Sequence, residues 1–321
     1  MIAVMGAGAF GTALSISLCS GNAVTLWARD AAQARDMQSN RENVRRQPGV
    51  ALPLDLEIKT TIDLAGAQAI LLAVPTQKLR AFCAEISGKL PASVPMVACC
   101  KGIELGTGLR PSQIIRDAIP DAAVAVLTGP SFATDIARGL PTALTLACTQ
   151  DHIARDLQTR LTTSNLRLYR TTDVTGAELG GAMKNVMAIA CGAAIGAGLG
   201  DSARAALMTR GFAEMVRVAV ALGSDPVTLN GLSGFGDLVL TCSSEASRNF
   251  RAGLALGQGK SLPEDTTTEG VATAQALREL ADRHSLDLPI TRVVTALAAQ
   301  QLQVRDAMDM LLSRPLKEEK C

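Results

Sequence analysis

The sequence has almost no net charge, few histidines and none of the paired cysteine motifs that hold metals. Its 31 basic and 30 acidic residues leave a formal charge of +1, so no broad positive field attracts nucleic acid or an anionic membrane. The eight cysteines form no C-x-x-C pair, and the common Cys/His zinc spacings are absent. We therefore predict no metal and no nucleic-acid partner, and any anion-binding site must be local.

The few residues that could suggest metal binding or secretion give no such signal. His152 and His284 lie in charged, helix-like surroundings, and neither is expected to bind a metal or act as a base. Several cysteines lie in apolar runs, where a free thiol behaves as a small hydrophobic group and fits a reducing compartment. The N-terminus has neither the basic start nor the cleavage site of a secretory signal. These features predict a cytoplasmic protein.

Long hydrophobic runs are also scarce. The longest uncharged run, residues 185–200, is too short and too rich in glycine for a membrane span, so none is predicted. Hydrophobic residues make up 48% of the chain and charged residues 19%, which indicates a packed globular protein. A length of 321 residues suits two domains.

The first half of the chain alternates short apolar strands with helical segments. Continuous apolar strands of this kind are typical of a parallel sheet that helices cover on both faces. The expected strands are residues 2–6, 23–28, 69–74, 94–100 and 124–129, with 142–148 and 166–171 as two further strands at one edge. After about Thr172 only helical, alanine-rich segments follow.

The predicted fold class is therefore α/β, with an N-terminal Rossmann doubly wound sheet followed by an all-helical C-terminal domain. We place the Rossmann domain at residues 1–173 and the helical domain at 174–321. The cleft between two such domains suits a small substrate beside a nicotinamide. Several classes of dehydrogenase share this architecture, so it does not identify the substrate.

A glycine motif, Gly6-Ala7-Gly8-Ala9-Phe10-Gly11, follows the first strand and opens a helix. Gly6 can make the turn, Gly8 leaves room for a pyrophosphate, and Gly11 lets the helix and strand pack closely. The free N–H groups at the helix N-terminus then face the anion. This context predicts a dinucleotide-binding site.

The end of the second strand bears on which dinucleotide is used. NAD sites usually place an acidic residue there for the ribose 2′-hydroxyl, but this chain has Arg29. A guanidinium at that place can pair with a 2′-phosphate, so we predict NADP (NADPH) as the preferred cofactor, with NAD also usable. Asp30 follows directly, and a shift of one residue would restore the acid. A solvated Arg-Asp pair is the alternative interpretation.

A lysine interrupts the small-residue stretch "GGAMKNVMAIACG", residues 180–192. On a helix, Lys184 shares its face with small residues, which let a cofactor or another backbone come close. Desolvation and any nearby cation would lower its pKa, so that it can exchange a proton with an alcohol or carbonyl oxygen. The alternative is a lysine whose tip reaches water. This segment alone does not decide between them.

Several segments together carry a resemblance to a known family. They are "GAGAFGTALS", "VTLWARD", "CCKGIE", "LTGPSFA", "GAMKNVMAIACG", "GLSGFGDLVLTCSS", "SRN" and "TTTEGVATA". In this order and at these distances they resemble the bacterial NAD(P)-dependent glycerol-3-phosphate dehydrogenase family, from residue 1 to about residue 310. The resemblance implies interconversion of dihydroxyacetone phosphate and sn-glycerol 3-phosphate with NAD(P)H, which in bacteria would supply phospholipid synthesis.

The resemblance also implies roles for individual residues. Lys184 matches the general acid/base that protonates the C2 oxygen of the substrate as hydride arrives. Lys101 resembles a second contact at that oxygen, and repulsion between two converging lysines would lower the pKa of one of them. The implied substrate contacts are Lys101, Gly129, Ser131, Asp237, Ser247, Arg248 and Asn249. The implied cofactor contacts are Gly6, Gly8, Phe10, Gly11, Arg29, Lys101, Ala133, Arg248, Thr267 and Glu269.

Some features leave alternatives open. Ala9 stands where the family often has serine, which would remove one phosphate hydrogen bond. A related two-domain dehydrogenase for a 3-hydroxyacid or ketopantoate also uses a lysine on a helical domain, but it gives no reason for "SRN" after "GDL". A non-catalytic dinucleotide sensor would need neither Lys184 nor Arg248. The small-residue helices can pack within one chain or between two, so a homodimer is also compatible with the sequence.

Overall fold

A computed structural model describes residues 1–262 and 269–312. The strands are β1 (Ile2–Met5), β2 (Val24–Trp27), β3 (Glu42–Asn43), β4 (Gln47–Ala51), β5 (Glu57–Lys59), β6 (Ala69–Leu72), β7 (Met96–Ala98), β8 (Val124–Thr128), β9 (Thr142–Ala147) and β10 (Leu166–Thr171). All of them precede the long helix that starts at Val174.

Helices cover the sheet and then build the second half of the molecule. They are α1 (Ala9–Leu18), α2 (Ala31–Asn40), α3 (Thr76–Ile86), α4 (Pro111–Ala118), α5 (Ala133–Ala137), α6 (Asp151–Leu161), α7 (Val174–Gly196), α8 (Gly200–Ala221), α9 (Pro226–Leu229), α10 (Asp237–Cys242), α11 (Arg248–Gly257), α12 (Glu269–His284), α13 (Pro289–Ala298) and α14 (Val304–Leu312). A 3₁₀ turn spans Ser87–Lys89 and a π-helical turn spans Leu232–Gly236.

The main sheet has the order β10-β9-β8-β7-β6-β1-β2-β5. Strand β1 lies between β2 and β6, with which it runs parallel. The chain therefore winds away from β1 in both directions, and the carboxyl end of β1 is a switch point, where open α/β sheets bind ligands. The predicted doubly wound Rossmann fold and the helical second part are confirmed.

Two features of the sheet differ from the simplest interpretation of the sequence. Strand β9 runs antiparallel to β8, while β10 runs parallel to β9. Two consecutive neighbouring strands run parallel only when a long crossover connection joins them. The connection between β8 and β9 contains only the short helix α5, so β9 runs antiparallel to β8. Strand β5 pairs with β2 at the far edge, and its three residues, two of them charged, gave no apolar signal.

The core of the helical part forms around α7. Nearly every residue of this helix is buried, and it packs against α8, α10, α11 and α12. Glycines on α7 and α11 bring the two helices together, because a Cβ at Gly192 or Gly253 would overlap backbone atoms of the other helix. The small residues that we expected to pack within or between chains therefore pack within this one.

One helix of the described residues, α7, is long and apolar enough to cross a membrane by length and composition alone. Its most apolar window is 89% buried inside the protein. A helix enclosed in this way presents its apolar residues to other helices, as a core helix does.

Candidate active site

The glycine loop connects β1 to α1 at the switch point of the sheet. Gly6 has φ +123°, and a Cβ there would lie 2.7 Å from the carbonyl oxygen of Ala73. A Cβ at Gly11 would overlap the carbonyl oxygen of Gly6, whereas a Cβ at Gly8 would meet nothing within 4 Å. The loop thus packs tightly at both ends and leaves open space at its middle glycine.

This cradle fits a dinucleotide. The N-cap of α1 is Gly8, and no side chain caps the helix, so its first N–H groups are free to bind a pyrophosphate. Phe10, two residues after Gly8, packs partly buried beside Val50 and Ile136. These residues would hold the phosphates of NAD(P), and the ring of Phe10 would shape one side of the site.

Arg29 and Asp30 have different surroundings in the structure. Asp30 is the N-cap of α2, and its Oδ1 accepts hydrogen bonds from the backbone N–H groups of Ala32 (2.9 Å) and Gln33 (3.2 Å). Its other oxygen lies 3.6 Å from the guanidinium of Arg45. Arg29 is exposed and makes no hydrogen bond or ion pair with the residues that the structure describes. The end of β2 therefore has two arginines, Arg29 and Arg45, near the surface, while the carboxylate of Asp30 caps α2.

Lys184 lies in the middle of α7 with 10% of its side chain exposed. Its surroundings depend on the glycines one turn earlier, because a Cβ at Gly180 would overlap the carbonyl oxygen of Ser233 and one at Gly181 would overlap the hydroxyl of Thr128. Gly180 thus allows the π-helical turn to pack closely against α7, and Gly181 allows the same for the end of β8. Lys184 is therefore largely shielded from solvent.

Asp237 joins the two lysines. Lys101 Nζ lies 2.6 Å from Asp237 Oδ2, and Lys184 Nζ lies 2.9 Å from Asp237 Oδ1. The carboxylate is fully buried, so this pairing is what makes two buried ammonium groups tolerable. The π-helical turn directly precedes Asp237 and sets it at the start of α10. Lys101 and Lys184 thus come together at one carboxylate, and their convergence on a substrate oxygen stays a prediction.

The electrostatics of this cluster act most strongly on Lys101. Burial lowers the pKa of Lys101 to about 8; the Asp237 carboxylate opposes this shift and the charge of Lys184 adds to it. The predicted lowering of one lysine pKa by its neighbour is therefore found at Lys101, with burial as the larger cause. A lysine with such a pKa can gain or lose a proton near neutral pH.

The loop after β8 closes one wall of the cluster. Gly129 has φ +134°, and its carbonyl oxygen accepts hydrogen bonds from Lys101 Nζ (2.9 Å) and Ser131 Oγ (3.2 Å). Ala133 begins α5, which packs on α1 behind the glycine loop. The three residues predicted here thus connect the lysine cluster to the dinucleotide cradle.

The "SRN" segment forms the N-terminus of α11. Ser247 is the N-cap, and its hydroxyl accepts a hydrogen bond from Phe250 N (3.2 Å). Arg248 is exposed in the first turn. A helix N-terminus carrying an arginine is a suitable site for a phosphate, because backbone N–H groups and a guanidinium are both available to an anion there.

Asn249 is engaged with other elements. Its Nδ2 donates to Asn185 Oδ1 (2.9 Å), and its Oδ1 accepts from Gly270 N (3.1 Å). The side chain therefore joins α11 to α7 and α12. It holds the "SRN" segment beside the helix that carries Lys184, and the direct substrate contact that the resemblance implies for Asn249 stays a prediction.

Glu269 begins α12 and lies between the two halves. Its Oε1 accepts a hydrogen bond from Thr76 N (3.4 Å) at the start of α3. Burial raises its pKa, and the Thr76 N–H and the charge of Arg248 oppose that shift. Thr267, the other cofactor contact predicted in this segment, lies outside the described residues.

Two polar residues of the site were missed by the sequence interpretation. Thr241 Oγ1 accepts a hydrogen bond from Lys184 Nζ (2.8 Å) and donates to Asp237 Oδ1 (3.3 Å). Asn185 follows Lys184 on α7 and positions Asn249. A signal for Thr241 was available: it follows Asp237 by one helical turn, so their side chains share a face.

The site offers proton donors, fixed cations and an anion-binding helix end. Over residues 1–262 and 269–312, no group of three or more His, Cys, Asp or Glu side chains is arranged to hold a metal ion; the absence of a metal from the reaction stays a prediction. The seven cysteines within those ranges are free thiols. The arrangement can donate a proton to one oxygen while binding an anionic group of the same small molecule.

Comparisons with known proteins match the chain over both of its parts. The family model described as "NAD-dependent glycerol-3-phosphate dehydrogenase N-terminus" matches residues 1–154, and that described as the C-terminus of the same enzyme matches residues 173–309. A protein of Ruegeria sp. (strain TM1040) named glycerol-3-phosphate dehydrogenase (NAD(P)+) is 59% identical, and the match covers 99% of both chains.

Further similarities agree in length and fold. A protein of Roseobacter denitrificans with the same name is also 59% identical, with 99% of each chain covered. The crystal structure of glycerol-3-phosphate dehydrogenase from Coxiella burnetii superposes with a TM-score of 0.93 at 36% identity and covers 98% of each chain.

Proposed function

Because the chain belongs to the NAD-dependent glycerol-3-phosphate dehydrogenase family, we propose that it interconverts dihydroxyacetone phosphate and sn-glycerol 3-phosphate. The family predicted from the sequence is confirmed. The observation that carries the assignment of the reacting groups is the buried carboxylate of Asp237, which holds Lys101 and Lys184 on its two oxygens.

The reduction needs a hydride at C2 and a proton at the C2 oxygen. The bound nicotinamide supplies the hydride. Lys184 Nζ donates the proton, and in the reverse direction it takes the proton back. Lys101 provides a second positive charge at the same oxygen, which stabilises the alkoxide that develops as the carbonyl is reduced.

Asp237 and Thr241 hold Lys184 for this task. The Asp237 carboxylate lies 2.9 Å from Lys184 Nζ, and the threonine hydroxyl, at 2.8 Å, fixes the direction of Nζ. Because both groups act on the side chain before the substrate arrives, little reorganisation remains for the chemical step.

The phosphate of the substrate would bind at the N-terminus of α11. Arg248 presents a planar fork of donors, and Ser247 and Asn249 fix the segment that carries it. Asn249 joins this segment directly to Asn185, the neighbour of Lys184. The proposed phosphate site and the proton donor thus lie on two helices that this hydrogen bond joins.

We also propose that NADPH is preferred over NADH. Arg29 is exposed at the end of β2, and Arg45 lies beside Asp30, so two guanidinium groups are available to a 2′-phosphate. Asp30 is occupied as the N-cap of α2, which makes it a poor partner for a ribose 2′-hydroxyl.

A steady-state assay with three substrates tests the proposed reaction. NADPH oxidation should be fast with dihydroxyacetone phosphate, slow with dihydroxyacetone and absent with 2-ketopantoate. Preferred turnover of 2-ketopantoate would favour the related dehydrogenase class. Tight NADPH binding without turnover of any of the three would favour a sensor.

The cellular setting and assembly follow as further proposals. We propose that the enzyme acts in the cytoplasm and supplies glycerol 3-phosphate for phospholipid synthesis. A homodimer stays a prediction, and packing of α7 on α11 removes the small-residue stretch as an argument for it. Light scattering coupled to gel filtration measures the oligomeric state directly.

A further inference from the structure

A second buried carboxylate, Glu178, connects the catalytic helix to the Rossmann part. It lies on α7, with 1% of its side chain exposed. Its Oε1 accepts a hydrogen bond from Ser112 N (2.6 Å), and its Oε2 accepts from Ser112 Oγ (2.8 Å) and from Arg110 Nε (3.0 Å). Both partners lie at the start of α4, on the sheet side of the molecule.

This contact caps a helix from another element. Arg110 is the N-cap of α4, and the Ser112 N–H is one of the groups that a helix N-terminus leaves free. Arg110 also donates from Nη2 to Thr175 Oγ1 on α7 (3.1 Å). Two side chains of α7 therefore hold the start of α4, with charge as well as hydrogen bonds. Burial raises the pKa of Glu178, and Arg110 and Ser112 oppose the shift.

The two partners belong to segments that carry the two lysines. Lys101 and Ser112 are the ends of one segment, which runs from the end of β7 into α4. Lys184 follows Glu178 on α7 by six residues, which is about 9 Å along a helix. The two segments are thus joined directly at Glu178, and a second time through α10, where Asp237 pairs with both lysines.

The middle of the segment is also held. Arg80 Nη2 on α3 lies 2.9 Å from Glu104 Oε2, and Thr107 Oγ1 donates to the same oxygen (2.6 Å). The segment therefore cannot easily absorb a movement at one end by bending in the middle. A shift of α4 against α7 would reach Lys101.

We propose that Glu178 is a positioning residue that sets the separation of Lys101 and Lys184 by fixing α4 against α7. The proposal rests on the proposed roles of the two lysines. A displacement of about 1 Å at reacting groups can cost about 10²-fold in rate, so a contact of this kind influences catalysis without touching substrate. Glu178 acts through helix placement, whereas Asp237 acts on the lysines directly.

The chain provides a matched control in Glu214. This buried carboxylate on α8 caps α13, accepting hydrogen bonds from Ile290 N (2.6 Å), Thr291 N (3.2 Å) and Thr291 Oγ1 (3.0 Å). Burial raises its pKa as it does that of Glu178. Glu214 lies wholly within the helical part, away from Lys101.

The test compares Glu178→Gln with Glu214→Gln. Glutamine keeps one oxygen that can accept hydrogen bonds, but its NH2 group replaces the other oxygen and faces donors with which it cannot bond. Both substitutions should therefore lower Tm. Only Glu178→Gln should lower kcat for dihydroxyacetone phosphate reduction, by about 10-fold or more, with KM for NADPH nearly unchanged. Equal kcat losses in the two variants, or none in Glu178→Gln, would overturn the proposal.

The pH profile provides a readout that lost stability alone does not move. The charged groups around Lys101 are Lys184 and Asp237 from the helical part and Glu269 at the start of α12. The charge of Lys184 lowers the pKa of Lys101. If the two lysines move apart in Glu178→Gln, this repulsion weakens and the pKa of Lys101 rises. The fall of kcat/KM at alkaline pH should then begin at a higher pH. Glu214→Gln should keep the wild-type limb, and an unmoved limb in Glu178→Gln contradicts the proposal.

Two further variants complete the experiment. Ser112→Ala removes one hydrogen bond of the contact and should fold even if Glu178→Gln does not; a smaller kcat loss in the same direction is expected, and wild-type kcat would contradict the proposal. Lys184→Ala tests the underlying assignment separately. If Lys184→Ala retains turnover, the proposed roles of the lysines fail; if it is inactive while Glu178→Gln is normal, only the positioning role fails.

Discussion

Lys101 and Asp237 lie 136 residues apart in the chain and form an ion pair of 2.6 Å. One residue follows a strand of the Rossmann sheet and the other begins a helix of the second part. The pair therefore forms only when the two parts are packed together. This contact completes the site and also joins the two halves of the molecule.

Asp237→Asn should move the alkaline limb of dihydroxyacetone phosphate reduction to lower pH. In the wild type, Lys101 loses its proton near its pKa of about 8, so kcat/KM for reduction should fall as the pH rises through that value. The Asp237 carboxylate raises the pKa of Lys101. Its removal favours the neutral amine, and the fall then begins at a lower pH.

The measurement is kcat/KM for reduction from pH 6 to about pH 10, because this parameter reports the groups of the free enzyme. A limb that stays in place in Asp237→Asn would show that the lysine pair does not control the pH dependence. Asp156→Asn, at an exposed carboxylate on α6, is the control and should leave the profile unchanged.

Local patterns in the sequence were sufficient for the glycine loop, the main strands and the placement of Lys184 on a helix. They could not show that Asp237 bridges two lysines, because that geometry depends on contacts between residues far apart in the chain. The spacing of Thr241 from Asp237 placed the two on one helix face, but the 2.8 Å contact of Thr241 with Lys184 also joins residues far apart in the chain. Strand β5 was not predicted because its own composition does not indicate a strand; it is a strand because it pairs with β2.

Arg29→Ala should raise KM for NADPH by about 10-fold or more and leave KM for NADH nearly unchanged, since a charged hydrogen bond to phosphate contributes about 1.5–3 kcal/mol. Arg45→Ala should act in the same direction with a smaller effect. Steady-state kinetics with both cofactors measures the change in preference. Equal losses for both cofactors would assign Arg29 to the fold instead.

Asp30→Ala distinguishes the two interpretations of the Arg-Asp pair. The carboxylate caps α2, so its loss should lower Tm while NADPH remains the better cofactor. The sequence alone left this choice open, because a shift of one residue exchanges the two side chains. The hydrogen bonds from Ala32 N and Gln33 N to Asp30 support the interpretation in which Asp30 is a helix cap.

Arg248→Ala should lower kcat/KM for dihydroxyacetone phosphate by about 10²-fold, close to the loss of one charged hydrogen-bonding partner. Phosphate binding also orients the distant carbonyl, so kcat should fall as well as KM rise. Arg248→Lys should recover only part of the activity, because a point charge lacks the planar fork.

Dihydroxyacetone, which has no phosphate, is the control substrate for Arg248. Wild type should turn it over poorly, and Arg248→Ala should change that rate little. If the variant damages both substrates equally, Arg248 serves the cofactor or the fold, and the phosphate binds elsewhere.

Gly180→Ala should lower the free energy of unfolding by about 1–3 kcal/mol, the usual cost of overpacking a buried site. The added methyl group would overlap the carbonyl oxygen of Ser233 and push away the turn that leads into Asp237. Gly21→Ala, where a Cβ meets nothing within 4 Å, is the matched control. Chemical denaturation of both variants measures the difference, and equal stability would show that the π-helical turn adapts without cost.

Lys184, as the proton donor, is the residue on which the proposed reaction depends most. Its Nζ is held between Asp237 and Thr241 in a buried site, and removal of a positioned acid should cost at least about 10²-fold in rate. The glycine loop lies on the sheet, so NADPH binding should change only a few-fold.

Single-turnover reduction of dihydroxyacetone phosphate by the Lys184→Ala enzyme, with NADPH already bound, is the most direct measurement. NADPH fluorescence reports cofactor binding and hydride transfer in the same cuvette. We predict that the variant binds NADPH within a few-fold of wild type and transfers hydride at least about 10²-fold more slowly. Hydride transfer at a near-normal rate would contradict the assignment of Lys184 as the acid/base.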